Sequence, residues 1–270
     1  MKIKEFVLII SLVISVLTGS ELDSKIAALK KRLIKDGISK SLIEKYFSDP
    51  RFQIDKKLRE KKKAYSKVNY FDKKRNFWQE STFQRDIKFL ITKKELFDKF
   101  ESKYKSKGLD RFIVVSLLEM ESGLGNWQAA NPVFNAYVSE YLDEKAPKTR
   151  REWFYQLLKI SLERERELCD NAGVKDLFEL KGSWAGAFGP MQIMPDEYFT
   201  YFIDFNEDGK KNPLCVEDCI GSIAEVLIGK GLKNRNNLEK ALYKYNPQRD
   251  YVKAIIEHAK QLKEKYEKMK

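Results

Sequence analysis

From Phe112 to Met120 the chain reads Phe-Ile-Val-Val-Ser-Leu-Leu-Glu-Met, nearly unbroken by polar residues. That run constrains the fold more than any other feature. Apolar residues at almost every helical azimuth leave no face for water, so the helix they form belongs inside a core with other elements around it. Asp110 stands where an N-cap is needed, and Ser122-Gly123 follows where the helix must stop. Glu121 is thus a carboxylate at the C-terminal end of a buried helix. Poor hydration and the negative end of the helix dipole both disfavour its ionised form and raise its pKa. Glu119, two positions earlier, points about 160° away around the helix.

The remaining pattern is helical and predicts a mostly α protein. Helices are expected over 24–36, stopped by Gly37; over 39–47, ended by Asp49-Pro50; and over 93–105, with Leu96, Phe97, Phe100 and Tyr104 at helical spacing. A single long amphipathic helix is expected from Arg150 to Asn171, and further helices over 215–228, 237–245 and 249–268. Residues 55–77 are rich in Lys and Arg with Tyr65, Tyr70 and Phe71 between them. They read as a solvated connecting segment, with a polymer-binding arm as the other reading.

Met1-Lys-Ile-Lys4 precedes an apolar stretch from Phe6 to Val16 and then small residues, so residues 1–20 read as a secretory signal peptide. An exported protein, periplasmic or attached to the envelope and monomeric, is expected. The formal charge of +12 suits an acidic polymer, and export argues against nucleic acid. Cys169, Cys215 and Cys219 are an odd set, expected as buried thiols. A lone His258 excludes a His-based triad or metal centre, and its Lys-rich surroundings predict a surface position.

Two stretches carry chemistry. A carboxyl kept protonated near neutral pH is a proton donor suited to cleaving a glycosidic bond, and Glu121 is placed to be one. Lys181-Gly-Ser-Trp-Ala-Gly-Ala-Phe-Gly-Pro-Met-Gln-Ile-Met-Pro195 combines glycines that allow close backbone approach with Ser183 and Gln192 as short polar groups. Trp184, Phe188, Met191 and Met194 supply apolar surface, a composition that fits a sugar-binding groove. Together, Met120-Glu-Ser-Gly-Leu-Gly125 and this glycine-rich stretch resemble the B-type membrane-bound lytic transglycosylases, which cut peptidoglycan glycan strands on a lysozyme-like scaffold. The similarity runs from about residue 24 to 266 and is strongest over 110–231.

The resemblance implies a lysozyme-like catalytic core over 106–270, preceded by an N-terminal helical lobe over 21–105. It implies Glu121 as the sole catalytic acid/base, protonating the oxygen between N-acetylmuramic acid and N-acetylglucosamine. The muramic acid 6-hydroxyl then closes a 1,6-anhydro ring. Ser183, Gln192 and Met191 would line the groove, Tyr245-Asn246 would face the cleavage site, and Arg150 or Arg151 would lie above it.

Asp204, Asn206 and Asp208 occupy positions one, three and five of an EF-hand-like loop, with Gly209 at six and the Lys210 carbonyl at seven. Position twelve is Cys215, which is no calcium ligand. By the resemblance, a longer loop, 204–218, would take its last carboxylate from Asp218 and hold one structural Ca²⁺. Two other readings stay open: a lysozyme-type muramidase that uses water, and a non-catalytic wall-binding protein.

Overall fold

The computed structural model describes residues 21–55, 57–65, 68–127 and 129–269. The expected signal segment lies outside them. Helix α1 covers residues 21–35 and is followed by α2 (Lys40–Phe47), α3 (Leu58–Tyr65), α4 (Glu80–Thr92), α5 (Lys94–Tyr104) and α6 (Arg111–Ser122). Then come α7 (Val133–Leu142), α8 (Lys148–Glu163), α9 (Glu165–Ala172), α10 (Pro195–Tyr201), α11 (Val216–Gly229), α12 (Leu238–Tyr245) and α13 (Arg249–Glu267). The sheet is minimal: β1 (Asn131–Pro132) pairs antiparallel with β2 (Lys181–Gly182). No helix among the described residues is long and apolar enough to cross a membrane.

Helix α6 is the axis of the core, with α13, α4, α5 and α11 packed around it. Ile113, Val114, Val115, Leu117 and Leu118 are fully buried, each contributing about 1.5–3 kcal/mol of gross burial energy. Asp110 caps the helix, its Oδ1 accepting from the Ile113 N–H at 3.0 Å. Gly123 ends it in the left-handed conformation at φ 60°. The chain therefore turns away directly after Glu121 and leaves that side chain at an open helix end.

Four helices lie outside the expected ranges: α3, α4, α7 and α10. α4 does carry a stripe, Phe83, Ile87 and Leu90, whereas α7 is buried from Val133 to Glu140 on every side. A buried helix erases the period that would betray it.

Three expectations are corrected. The long helix from Arg150 to Asn171 is two, broken at Arg164 (φ −117°, ψ 28°). A straight helix of that length would span about 33 Å; the bend keeps Leu168, Cys169 and Ala172 against the core. Arg164 there lies 3.9 Å above the Phe199 ring.

His258 is not at the surface. It is fully buried, stacked on Phe77 (4.1 Å) and Phe83 (4.5 Å), with Nδ1 2.9 Å from Ser116 Oγ. It lies on the same α13 stripe as Tyr251, Ile255 and Leu262, so the lysines around it occupy the other face. Burial pushes its pKa down to about 3.

The basic segment is more than a solvated connector. Leu58, Tyr70 and Phe77 are buried in it, and Tyr70 meets the Tyr251 ring edge-on.

Candidate active site

The last turn of α6 delivers Glu121 half-buried, and Tyr251, in the first turn of α13, donates its hydroxyl to Glu121 Oε1 at 2.5 Å. Loss of hydration pushes the carboxyl up to about 7, and the Tyr251 hydrogen bond opposes that rise. Glu119 faces the interior, as the helical phase requires. It is fully buried and bonded by Arg85 at 2.5 Å. Asp143 and Glu144, acids with no place in the expected helices, are held by Lys62 at 2.9 Å and Lys25 at 2.8 Å.

The glycine-rich stretch folds into tight turns tied to the end of α6. Ser122 Oγ donates to the Pro190 carbonyl at 2.6 Å and accepts from the Gly125 N–H at 2.8 Å. Gly186 (φ 84°) lies so close to Tyr137 that a Cβ would sit 2.3 Å from the ring. At Gly189 (φ 71°) a Cβ would meet the Pro213 carbonyl at 1.9 Å. Only glycine fits either place. Gln192 adopts φ 51°, an uncommon region for a residue with a side chain. Its Nε2 bonds the Gly189 carbonyl at 3.0 Å. With Ser122, Trp127, Lys181 and Leu214 it lines a cavity of about 300 Å³.

Ser183 stays within the turn, its Oγ accepting from the Ala187 N–H at 3.2 Å. Tyr245 donates its hydroxyl to the Met191 carbonyl at 2.5 Å. Burial raises its phenol well above the ordinary range, and the neighbouring Glu121 charge adds to the rise. Asn246 follows at the end of α12, its N–H on the Leu242 carbonyl at 2.9 Å.

Glu121, Tyr245 and the Met191 backbone are therefore neighbours, and Gln192 follows Met191 on the wall of the cavity beside Ser122. Two expected groove residues do not take the expected part. The Met191 side chain is fully buried, and its carbonyl accepts from Tyr245. Arg150 is paired with buried Glu140, both contacts at 3.2 Å, and lies 6.0 Å from the Trp184 ring. Tyr251 was not picked out from the sequence, although it stands six residues beyond Tyr245 on the core stripe of α13.

The loop 204–218 keeps an EF-hand frame. Asp204 Oδ2 accepts from the Gly209 N–H at 2.8 Å, and Gly209 takes φ 89°. Asp208 Oδ1 accepts from the Lys210 N–H at 2.9 Å. Asn206 Oδ1 accepts from the Asp208 N–H at 3.1 Å. Asp218, fully buried, accepts from the N–H groups of Phe205 (2.9 Å), Asn206 (3.2 Å) and Asn212 (2.9 Å). Burial pushes its carboxyl up despite those bonds, and the Asp204 charge adds to the shift. Two carboxylates in repulsion beside amide and main-chain oxygens are a donor set that a hard cation relieves. No group of three or more Asp, Glu, His or Cys side chains converges as a ready metal cage among the described residues. The three cysteines are unpaired; Cys169 and Cys219 are buried and Cys215 partly so.

A bundle built around one buried helix, with a single proton-holding carboxyl at that helix's end, defines a lysozyme-like scaffold. The transglycosylase SLT domain model matches residues 21–265, and the chain belongs to that family. Among curated proteins it is 33% identical over 117 residues to membrane-bound lytic murein transglycosylase B of Escherichia coli (strain K12), covering 43% of this chain and 30% of that protein. The match thus spans under a third of the relative's length.

Lytic transglycosylase Slt35 of Escherichia coli, solved in complex with bulgecin A, superposes with a TM-score of 0.72 at 16% identity, covering 88% of this chain and 92% of that one. It has also been solved in complex with calcium (TM-score 0.64, 16% identity, 89% and 93% covered). SltB3 of Pseudomonas aeruginosa, solved with NAG-anhNAM-pentapeptide, gives a TM-score of 0.68 at 18% identity, covering 89% and 79%. At these identities the structures establish a shared lysozyme-like lytic transglycosylase fold.

Proposed function

We propose that the protein is a peptidoglycan lytic transglycosylase with Glu121 as its only acid/base. Glu121 gives its proton to the oxygen bridging N-acetylmuramic acid and N-acetylglucosamine, and that C–O bond breaks. The carboxylate then takes the proton of the muramic acid 6-hydroxyl, whose oxygen bonds to C1 and closes the 1,6-anhydro ring. One carboxyl suffices because the substrate supplies its own nucleophile, unlike the two-carboxylate glycosidases.

The observation that carries this reading is the Glu121 carboxyl, poised at about 7 and bonded by Tyr251. Tyr251 aims the carboxyl, Tyr245 fixes the Met191 backbone, and Gln192 and Ser183 hold sugar from the turn tied to α6. Asp204, Asn206, Asp208, the Lys210 carbonyl and Asp218 would hold one structural Ca²⁺, which contributes rigidity beside the groove and no chemistry. Residues 21–105 form the N-terminal lobe and 106–270 the catalytic core of a protein exported to the cell envelope.

Mass spectrometry of digested sacculi tests the reaction. Anhydromuropeptides are expected from the wild type, and Glu121→Gln should lower their release by about 10²–10⁴-fold. Reducing-end muropeptides would assign the chain to the muramidases instead, and no release at all would make it a binding protein.

A further inference from the structure

Five buried side-chain atoms among the described residues have no hydrogen-bond partner: Arg85 Nε, Asp86 Oδ1 and Oδ2, Glu119 Oε2 and His258 Nε2. All belong to one cluster in the interior beside α6. Buried polar groups are rarely left unpaired, so several in one place call for a physical cause.

Helix α4 contributes Arg85 and Asp86, α6 contributes Ser116 and Glu119, and α13 contributes His258. Asp86, Ser116, Glu119 and His258 are each fully buried. Arg85 Nη2 donates to Glu119 Oε1 at 2.5 Å, and the Asp86 carboxyl stands against that of Glu119. On its other side, Asp86 Oδ2 lies 3.5 Å from His258 Nε2, and His258 Nδ1 lies 2.9 Å from Ser116 Oγ. The Phe77 carbonyl also faces the imidazole, and Lys74 and Arg75 line a cavity that Glu119 borders.

One proton and one tautomer pair four of the five atoms. With Ser116 donating to Nδ1, the neutral imidazole carries its hydrogen on Nε2 and points it at Asp86 Oδ2. The other Asp86 oxygen, protonated, donates to Glu119 Oε2, while Arg85 keeps Oε1. Charge favours this assignment. Burial, and then the Glu119 charge, push the Asp86 carboxyl up against the pull of Arg85. Arg85 opposes the same rise at Glu119, to which it is bonded. Burial keeps the imidazole neutral despite the Phe77 carbonyl.

The cluster reaches the acid from two sides. Glu119 precedes Glu121 at the end of α6. His258 follows Tyr251 on the same buried face of α13, about two turns further along. We propose that Asp86 is a positioning residue: by sharing a proton with Glu119 and facing His258, it locks α13 against α6 and so fixes the Tyr251 hydroxyl on Glu121. This rests on the reading of Glu121 as the acid given above.

Asp86→Asn keeps a donor for Glu119 and an acceptor for His258, so kcat and the falling limb of its pH–rate profile should stay close to those of the wild type. Asp86→Ala removes both and should lower kcat about tenfold to a hundredfold with little change in KM. It should also move the falling limb to higher pH, because the Tyr251 hydrogen bond is what holds the Glu121 carboxyl down. In a Tyr251→Phe background the same substitution should move the limb no further. Should Asp86→Ala fail to fold, Ser116→Ala releases the imidazole from α6 by deleting one hydroxyl and should shift the limb in the same direction. A limb that stays in place in every folded variant, or that Asp86→Asn moves equally, overturns the proposal.

Two readouts are independent of turnover. The Glu121 carboxyl, titrated by carbon-13 NMR, should be displaced upward in Asp86→Ala and not in Asp86→Asn. The folded chain also keeps an Asp86 proton that the unfolded chain has released, so Asp86→Asn should gain Tm over the wild type as pH rises from about 4 to 8. A Tm difference that ignores pH overturns the shared proton. A protein that yields no anhydro product yet shows the Glu121 displacement sinks the catalytic reading alone. A carboxyl that titrates alike in the wild type and both folded variants sinks the positioning role.

Discussion

Glu121 is set by two opposed forces that single substitutions can separate. On the proposed mechanism its carboxyl donates a proton in the first step, so the rate should fall as pH rises through about 7. The Tyr251 hydrogen bond lowers that pKa, hence Tyr251→Phe should move the falling limb of the pH–rate profile to higher pH while lowering the maximum. A profile that stays in place would deny Tyr251 its part in tuning the acid. The same shift acts on stability. Between its ordinary value of 4.5 and about 7, the folded protein holds a proton that the unfolded chain has released. This contribution therefore weakens as pH rises across that window. Glu121→Gln should accordingly raise Tm at pH 8 relative to the wild type and leave it little changed at pH 4.

The raised carboxyl of Glu121 was legible in the sequence, because a carboxylate closing an apolar run loses hydration. Tyr251 was not. A tyrosine on a core stripe reads as packing, and only the crossing of α13 over the end of α6 turns its hydroxyl toward Glu121.

Helices whose apolar residues repeat on one face were found with their ends nearly right: α2, α5, α11, α12 and α13. A cap helps only at α2, where Ser39 accepts an orphan N–H, as Asp110 does for α6; α5, α11, α12 and α13 start without a side-chain cap, and the period of their apolar face gave them away. Asp110→Ala should reduce stability by about 1 kcal/mol in urea unfolding, with somewhat more lost through the Arg235 contact at 3.1 Å. The failures follow a rule too. α7 is buried all round and shows no period, while α8 and α9 share a period that runs unbroken through the bend at Arg164. His258 was misplaced by its lysine neighbours, although its spacing from Tyr251 and Leu262 marked the buried face. His258→Ala should cost about 2 kcal/mol or more, read as a lower urea midpoint, because it empties a stacked slot and leaves the buried Ser116 hydroxyl without its partner.

Across the whole molecule the relevant quantities are charge and the ties that hold the cleft. A net charge of +12 gives an attraction to anionic sacculi that salt screens. Raising salt from about 0.05 to 0.3 M should therefore weaken sacculus binding several-fold; insensitivity would mean that the surplus takes no part in binding. Calcium bound to loop 204–218, as proposed, would stabilise the folded state by mass action. EDTA should lower Tm in the wild type and leave Asp204→Ala unaffected, whereas no EDTA effect on the wild type would count against a bound ion. Glycine positions couple cleft and fold: Gly189→Ala should lower both stability and activity, because its Cβ has no room beside Pro213.

What the sequence determined alone was everything that depends on a residue and its near neighbours: the buried helix, its cap, the carboxyl at its end, the turn glycines and the calcium-type spacing. Local chemistry acts over a few residues and is written in their order. What tertiary structure decided was every relation between distant segments: Tyr251 on Glu121, His258 between two phenylalanines, and Arg150 paired with Glu140. Those contacts arise because burying the apolar faces of α4, α6 and α13 together leaves only one way to pack them, and no spacing along the chain records which side chains then meet.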